Sequence, residues 1–162
     1  MEANLSSTQM LTRIELLEAE KEYWQGLAER DALTDLPNRL GLERRTHARD
    51  GWFVLADLNG FKKAQDAHPD GHAYGDRILQ EFADWLESNC RTKSGRSEDR
   101  VASRLGGDEF VVWCPTRAAA RRIKQSIRSW VSEDGRVTSS AGLGKTLDAA
   151  DAAMYVSKHE HV

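Results

Sequence analysis

Residues 104–110 read R-L-G-G-D-E-F, and this run of two glycines followed at once by two carboxylates is the most informative stretch of the chain. Apolar residues lie on both sides, with Leu105 before the glycines and F-V-V-W at 110–113 after the acids. The pattern is typical of a β-hairpin with a glycine turn. Glycine tolerates positive φ, so we expect Asp108 and Glu109 to lie at an accessible hairpin tip. Such acids beside uncrowded backbone favour a divalent cation with a bound phosphate, although an ordinary Gly-Gly turn with solvated acids has the same pattern.

A third acid follows a second apolar run. Residues 52–58 read W-F-V-L-A-D-L, which predicts a short buried strand with Asp57 near its C-terminal end. A strand-end aspartate beside a hairpin that carries Asp108 and Glu109 would supply the carboxylates of a two-metal phosphoryl-transfer site. The alternative is that Asp57 only caps the turn at residues 58–60, since aspartate often bonds to turn backbone.

The composition indicates one domain with an appendage. The chain has 162 residues, a formal net charge of −3 and 30% charged residues. That length suffices for a real core, and the near-neutral charge makes nucleic-acid binding an unlikely role. Cys90 and Cys114 show neither metal-ligand spacing nor a disulfide framework. No apolar run is long enough to span a bilayer, and we expect a cytoplasmic protein without a membrane segment.

The first thirty residues differ in pattern from the rest. Residues 7–30 predict one helix, with Ser7 as its N-cap. Spacings of four and three connect the residues of one stripe along this helix: Met10, Ile14, Leu17, Lys21, Trp24 and Ala28. Such a heptad seam favours a coiled-coil dimerisation stalk over residues 1–30, although a helix folded back onto its own domain is the alternative. Residues 31–162 would then form the catalytic domain.

The remaining pattern predicts an α+β domain. Helices are expected at residues 38–47, 74–89, 116–131 and 147–158, and strands at residues 52–57, 100–105, 110–114 and 136–141. We expect Ile123, Ile127, Trp130 and Val131 to point inward from the third of these helices. The core order βαββαβ is that of the ferredoxin-like fold, which is also the palm of polymerases and nucleotide cyclases.

Several segments in this order resemble the motifs of GGDEF domains. They are D-A-L-T-D-L-P-N-R at 31–39, D-L-N-G-F-K-K at 57–63, G-H-A-Y-G-D at 71–76, G-G-D-E-F at 106–110, V-T-S-S-A-G at 137–142 and A-D-A-A-M-Y-V-S-K at 150–158. The resemblance implies a diguanylate cyclase, which condenses two GTP molecules into cyclic di-GMP. It also implies a homodimer, because each of the two nucleotides must attack the other.

The resemblance assigns the metal and catalytic roles to a small set of residues. Asp57 and Asp108 would ligate two Mg²⁺ or Mn²⁺ ions, with help from the Leu58 carbonyl. Glu109 would add a carboxylate close to the reacting 3′-hydroxyl, for metal binding or proton removal. Gly106 and Gly107 would leave room for the nucleotide.

The substrate-binding roles follow from the same resemblance. Lys62 and Lys158 would neutralise the triphosphate, and Phe61 lies in the phosphate-binding segment. Asp76 would accept hydrogen bonds from the guanine edge, and Gln65 stands where the family has a second guanine reader. An acid at position 76 favours guanine over adenine, which lacks the matching pair of donors.

The chain departs from the family pattern in several places. Gln65 replaces the usual asparagine, two extra residues lie between Phe61 and Gly71, and Lys158 is not followed by the usual phosphate-binding arginine. The inhibitory product site would be formed by Arg96 and Asp99, although their spacing from Gly106 is one residue longer than usual. These differences leave two alternatives to the cyclase: a non-catalytic domain that binds GTP or cyclic di-GMP and signals to a partner, and a cyclase with relaxed base choice.

Overall fold

The N-terminal segment is a long helix whose apolar side chains face solvent. The computed structural model describes residues 7–90 and 100–159, with side chains up to residue 156. Helix α1 spans Ser7–Ala28 and none of its residues is buried. It therefore projects from the domain, and the folded-back alternative is not what the structure shows. Ser7, the predicted N-cap, is the first residue that the structure describes, and it belongs to the helix. No helix among the described residues is long and apolar enough to cross a membrane.

The rest of the chain is built on a four-stranded antiparallel sheet, and the predicted ferredoxin-like βαββαβ order is confirmed. The strands lie in the order β2-β3-β1-β4. Their bounds are β1 Trp52–Asn59, β2 Val101–Gly106, β3 Glu109–Cys114 and β4 Thr138–Gly144. Strand β1 therefore lies inside the sheet, between β3 and β4.

Helices cover both faces of the sheet. Their bounds are α2 Arg39–Thr46, α3 Phe61–Ala67, α4 His72–Cys90, α5 Arg117–Arg128 and α6 Leu147–His159. One face of the sheet packs against α4 and α5 in the larger apolar cluster, which includes Phe82 and Ile127. The other face packs against α2 and α6 in a smaller cluster, which includes Leu42 and Met154.

The alternation of strand β1 explains this division. Val54, Ala56 and Leu58 belong to the larger cluster, whereas Leu55 belongs to the smaller one. Side chains of a strand point to opposite faces in turn. Asp57 therefore shares the face of Leu55 and lies near the end of that row, where only Asn59 follows it.

Helix α3 was not predicted. It has only seven residues and begins directly after Gly60, whose φ of +75° is left-handed. A helix of this length contains too few turns to give a recognisable apolar period. It nevertheless carries Phe61, Lys62 and Gln65, which the resemblance assigns to the substrate.

Strand β4 lies two or three residues beyond its predicted bounds, and glycines are the reason. Glycine in a strand pattern is more typical of a bend or a close approach of backbone, but Gly142 and Gly144 are both buried within the strand. A Cβ at Gly142 would collide with the carbonyl of Ala150 and the backbone of Met154. The strand uses glycine because α6 packs directly on its backbone.

The predicted third helix is shorter than expected. Helix α5 begins at the N-cap Thr116, whose side chain accepts from the Ala119 N–H, and it ends at Arg128. Trp130 is buried as predicted, but Val131 is 51% exposed because the chain has left the helix there and pairs with Thr138.

Candidate functional site

Two of the predicted catalytic carboxylates face each other across the sheet. In the antiparallel pairing of β1 with β3, Asp57 stands directly opposite Glu109. On its other side Asp57 stands opposite Ser140 of β4. Side chains directly opposite each other lie on the same face, with Cβ atoms about 4.5–5.5 Å apart. The half-buried Asp57 and the exposed Glu109 therefore form an acidic pair at one end of the central strands.

The third carboxylate, Asp108, lies in the turn between β2 and β3. The φ angles of Gly106 and Gly107 are +145° and +54°, which other residues rarely adopt. A Cβ at either glycine would meet no atom within 4 Å. The two glycines are therefore required by the backbone conformation, and the space beside them is open to a ligand.

Arg104 holds this turn in place. Its Nε and Nη2 atoms donate to the Gly107 carbonyl oxygen at 3.0 and 2.8 Å. Its Nη1 donates to Asp31 Oδ1 at 2.9 Å, and its backbone N–H donates to the Pro37 carbonyl at 2.9 Å. The side chain is only 10% exposed. The planar guanidinium thus connects the segment that begins the domain to the glycine turn.

Asp31 is fixed as an acceptor for that guanidinium. Its Oδ1 also accepts from the backbone N–H and the hydroxyl of Thr34, at 2.9 and 2.7 Å. Burial alone would raise the pKa of Asp31, but the hydrogen bonds from Thr34 and Arg104 outweigh it, so the pKa lies below its ordinary value. Asp31 therefore stays ionised and paired.

The sequence reasoning missed this pair. Asp31 and Arg104 lie 73 residues apart, and no periodicity connects them. The available signal was that Arg104 directly precedes the glycine turn and Asp31 opens the first motif.

The predicted phosphate-binding segment begins where β1 ends. Leu58 buries its side chain in the larger core and pairs with Ser139, so only its backbone could reach a ligand. Phe61 is half-buried against the same core, and Lys62 is exposed in the first turn of α3. The segment therefore lies beside the acidic pair.

The two predicted guanine readers lie on neighbouring helices, Gln65 on α3 and Asp76 on α4. A Cβ at Gly75 would lie 2.9 Å from Gln65 Nε2 and 3.2 Å from Phe61 Cζ. The side chain of Gln65 therefore packs on the backbone of Gly75, and the exposed Asp76 is the next residue.

Three predicted site residues cannot be placed fully, because all or part of each lies outside the described residues. Lys158 belongs to helix α6 by its backbone, but its side chain lies outside the described residues. Arg96 and Asp99, the predicted inhibitory site, also lie outside the described residues.

The three carboxylates suit a metal ion that is bound jointly by the protein and a phosphate ligand. They do not suit a metal ion that is enclosed by protein side chains alone. Among residues 7–90 and 100–156, no three His, Cys, Asp or Glu side chains converge closely enough to enclose an ion by themselves. Mg²⁺ in phosphoryl-transfer sites is usually held by one or two carboxylates, water and the phosphates of the substrate. The pair Asp57–Glu109 with Asp108 beside it suits that mode of binding.

The sequence of the chain is similar to that of known proteins. Residues 28–149 match the family model described as "Diguanylate cyclase, GGDEF domain". The bifunctional diguanylate cyclase/cyclic di-GMP phosphodiesterase MucR of Pseudomonas aeruginosa is 31% identical over 188 positions, which cover 99% of this chain and 26% of MucR. The probable diguanylate cyclase DgcE of Escherichia coli is 33% identical, over 82% of this chain and 14% of DgcE.

A solved structure has the same fold. The coiled coil and GGDEF domain of DgcB from Caulobacter crescentus, in complex with c-di-GMP, superposes with a TM-score of 0.69 at 22% identity. The match covers 94% of this chain and 92% of that one. The chain spans only about a quarter or less of the curated relatives MucR and DgcE.

Proposed function

Because the chain belongs to the GGDEF family, we propose that it is a diguanylate cyclase that converts two GTP molecules into cyclic di-GMP and two pyrophosphates. The observation that carries the proposal is the pairing of Asp57 with Glu109 across the sheet, beside the glycine turn that holds Asp108. A domain that only bound a nucleotide base would not need three acids at that place.

The same acidic residues are the proposed metal ligands. Asp57, Asp108, Glu109 and the carbonyl of Leu58 hold two Mg²⁺ or Mn²⁺ ions together with the triphosphate. Bound there, the ions supply charge neutralisation at the α-phosphate and lower the pKa of the attacking hydroxyl.

The side chains position the substrate for in-line attack. The 3′-oxygen of one GTP forms a bond to the α-phosphorus of the other, the bond from that phosphorus to the bridging oxygen breaks, and pyrophosphate leaves. Glu109 accepts the proton of the 3′-hydroxyl, and Lys62 and Lys158 neutralise the triphosphate. Such chemistry depends on positioning and charge rather than on a covalent enzyme intermediate.

The base is read by Asp76 and Gln65. Asp76 is exposed and free to accept from the guanine edge, while Gln65 is fixed against Gly75. Adenine lacks the pair of donors that this carboxylate would accept from, so the site should bind ATP more weakly than GTP.

Two protomers are required, since each GTP must attack the other. Helix α1 supplies the dimer contact: Ile14, Leu17 and Trp24 of the heptad seam are 51%, 47% and 59% exposed in the single chain. A seam of this kind is buried when two helices pair. The DgcB structure, which has the same fold, also contains a coiled coil beside its GGDEF domain.

A second candidate is a domain that binds GTP or cyclic di-GMP without turnover. The observation in its favour is Gln65, which is one methylene longer than the family's asparagine and packs on Gly75. A cyclase with relaxed base choice is the further alternative. The carboxylate of Asp76 argues against it, because it favours guanine over adenine.

Product identification tests the proposal. Purified protein is incubated with GTP and Mg²⁺, and the products are identified by mass spectrometry, with Asp108→Ala as the comparison. The cyclase produces cyclic di-GMP and pyrophosphate, and the variant does not. A folded, dimeric wild type that binds GTP and forms no product would support the binding domain instead.

A further inference from the structure

A column of side chains joins three separate segments next to the base-reading residues. The ring of His68 stacks on the ring of Tyr74, with centroids 4.3 Å apart and an interplanar angle of 13°. The hydroxyl of Tyr74 donates to Asp134 Oδ2 at 2.9 Å. Tyr74, in the first turn of α4, is therefore held between the α3–α4 loop and the turn that precedes β4.

Asp134 is fixed by its own turn. Its Oδ1 accepts from the Ser132 hydroxyl at 2.7 Å and from the Arg136 N–H at 3.1 Å. Hydrogen bonding, above all from Ser132, holds the pKa of Asp134 below its ordinary value despite some burial. The Ser132 hydroxyl in turn accepts from the Val137 N–H at 3.0 Å. The acceptor presented to Tyr74 is therefore ionised and immobile.

Tyr74 is well suited to hold a helix in position. It is 3% exposed, and burial together with the Asp134 carboxylate raises its pKa, so the hydroxyl remains a donor. The same turn contacts α4 a second time, through the Glu133 N–H that donates to Glu81 Oε1 at 2.9 Å. Two contacts, about two helical turns apart, fix the direction of α4 against this turn.

The residues next to Tyr74 are the ones that read the base. Gly75 is in contact with Gln65, because a Cβ atom built on Gly75 would lie only 2.9 Å from Gln65 Nε2. Asp76 is the next residue along α4. A shift of the first turn of α4 would move Asp76 and release Gln65 together.

We propose that Tyr74, held between His68 and Asp134, is a positioning residue that sets the affinity of the site for the guanine base. The inference rests on the proposed function, because it takes Gln65 and Asp76 as the base readers. Its effect belongs to nucleotide binding rather than to the chemical step, since Tyr74 lies on α4 and the three catalytic acids lie on the sheet and its hairpin.

The test removes the hydroxyl and keeps the ring. Tyr74→Phe is compared with Ser88→Ala, which deletes a hydroxyl from an exposed position near the other end of α4. Dissociation constants are measured by calorimetry for a GTP analogue with a methylene group between the α- and β-phosphorus atoms, and for the matching inosine analogue, which lacks the exocyclic amino group. KM and kcat for GTP and the melting temperature are measured on the same proteins.

Loss of a hydrogen bond to a charged acceptor changes the folding equilibrium by roughly tenfold or more, and the part of that effect that displaces the first turn of α4 reduces the affinity for the base. We expect Tyr74→Phe to raise the GTP-analogue dissociation constant and the KM by up to about tenfold. We also expect a smaller change for the inosine analogue, a nearly unchanged kcat, and a lower melting temperature, because the same hydrogen bond also stabilises the fold. Asp134→Ala removes the acceptor of the Tyr74 hydroxyl and should resemble Tyr74→Phe.

Equal GTP-analogue affinity in Tyr74→Phe and Ser88→Ala would overturn the inference, and so would a fall in kcat at constant KM. A wild type that binds the analogue but forms no cyclic di-GMP refutes the proposed cyclase alone, and the dissociation constants still decide the role of Tyr74. A wild type that binds neither analogue overturns both.

Discussion

Arg104 donates to Asp31 at 2.9 Å and, with the other edge of the same guanidinium, to the Gly107 carbonyl. Asp31, which lies shortly after the end of α1, is thus connected to the turn that carries Asp108. Helix α1 ends close by, because the Asn38 side chain donates to the Ala28 carbonyl at 2.7 Å. The geometry of the glycine turn therefore depends on the segment that joins α1 to the domain.

Arg104→Lys tests this connection. Lysine keeps the charge but cannot form the fork that contacts Asp31 and Gly107 together. We expect the free energy of unfolding to fall by about 1–3 kcal/mol, measured by urea denaturation. Cyclic di-GMP formation should fall mainly in kcat, because Asp108 loses its fixed position. Arg121→Lys on the exposed face of α5 is the control, and an equal effect of both substitutions would contradict the role of Arg104.

The low pKa of Asp31 predicts a pH dependence of stability. Its folded-state pKa lies below the ordinary value of 3.8, so the ionised carboxylate stabilises the fold. This contribution is complete above the unfolded-state pKa and is lost as the pH falls through the folded-state pKa. The difference in unfolding free energy between wild type and Asp31→Asn should be constant above about pH 5 and shrink below about pH 4. If the difference in unfolding free energy instead grew as the pH fell, the pKa of Asp31 would be raised rather than lowered in the folded state.

Gly142→Ala tests the close packing of α6 on β4. The added methyl group would overlap the Ala150 carbonyl and the Met154 backbone. Overpacking of this kind costs about 1–3 kcal/mol or more, and thermal unfolding measures it. Gly26→Ala is the matched control, since its Cβ meets nothing within 4 Å and alanine favours the helix by about 1 kcal/mol. Destabilisation by both substitutions would contradict the steric argument.

The seam of α1 predicts a dimer that one charge can dissociate. Leu17→Glu places a carboxylate in the seam, and Leu16→Glu places the same group just outside it. Both leucines are exposed in the single chain, 47% and 59%, so neither change should affect the folding of the protomer. Sedimentation equilibrium should show a dimer for wild type and Leu16→Glu and a weaker or absent dimer for Leu17→Glu. A monomeric wild type at high concentration with a GTP analogue would contradict the stalk.

Local patterns predicted the parts of the fold that repeat within a few residues. A continuous apolar run located β1, and the glycine turn located β2 and β3, so Asp57 was expected beside the hairpin tip that carries Asp108 and Glu109 before the pairing of the strands was known. The short helix α3 was not predicted because its seven residues are too few to show a clear apolar period. Strand β4 was predicted two or three residues too early because close packing by α6 requires glycines, which in other sequences often mark turns.

Contacts between distant residues were not predictable in this way. Asp31 with Arg104, and Tyr74 with Asp134, meet only because the sheet and α4 bring their segments together. Both pairs are hydrogen-bonded partners whose spacing along the chain has no period. The predicted pair Arg96 and Asp99 stays a prediction, as does the role of Lys158.

The most direct measurement is the yield of cyclic di-GMP from GTP by the purified wild type and by Asp57→Asn, each with Mg²⁺ and with circular dichroism to verify folding. Cyclic di-GMP is expected from the wild type, and essentially all product should be lost in Asp57→Asn, because the substitution removes the charge that Asp57 would offer to a metal in the Asp57–Glu109 pair. Equal product from both proteins would contradict the site, and no product from a folded, GTP-binding wild type would contradict the cyclase.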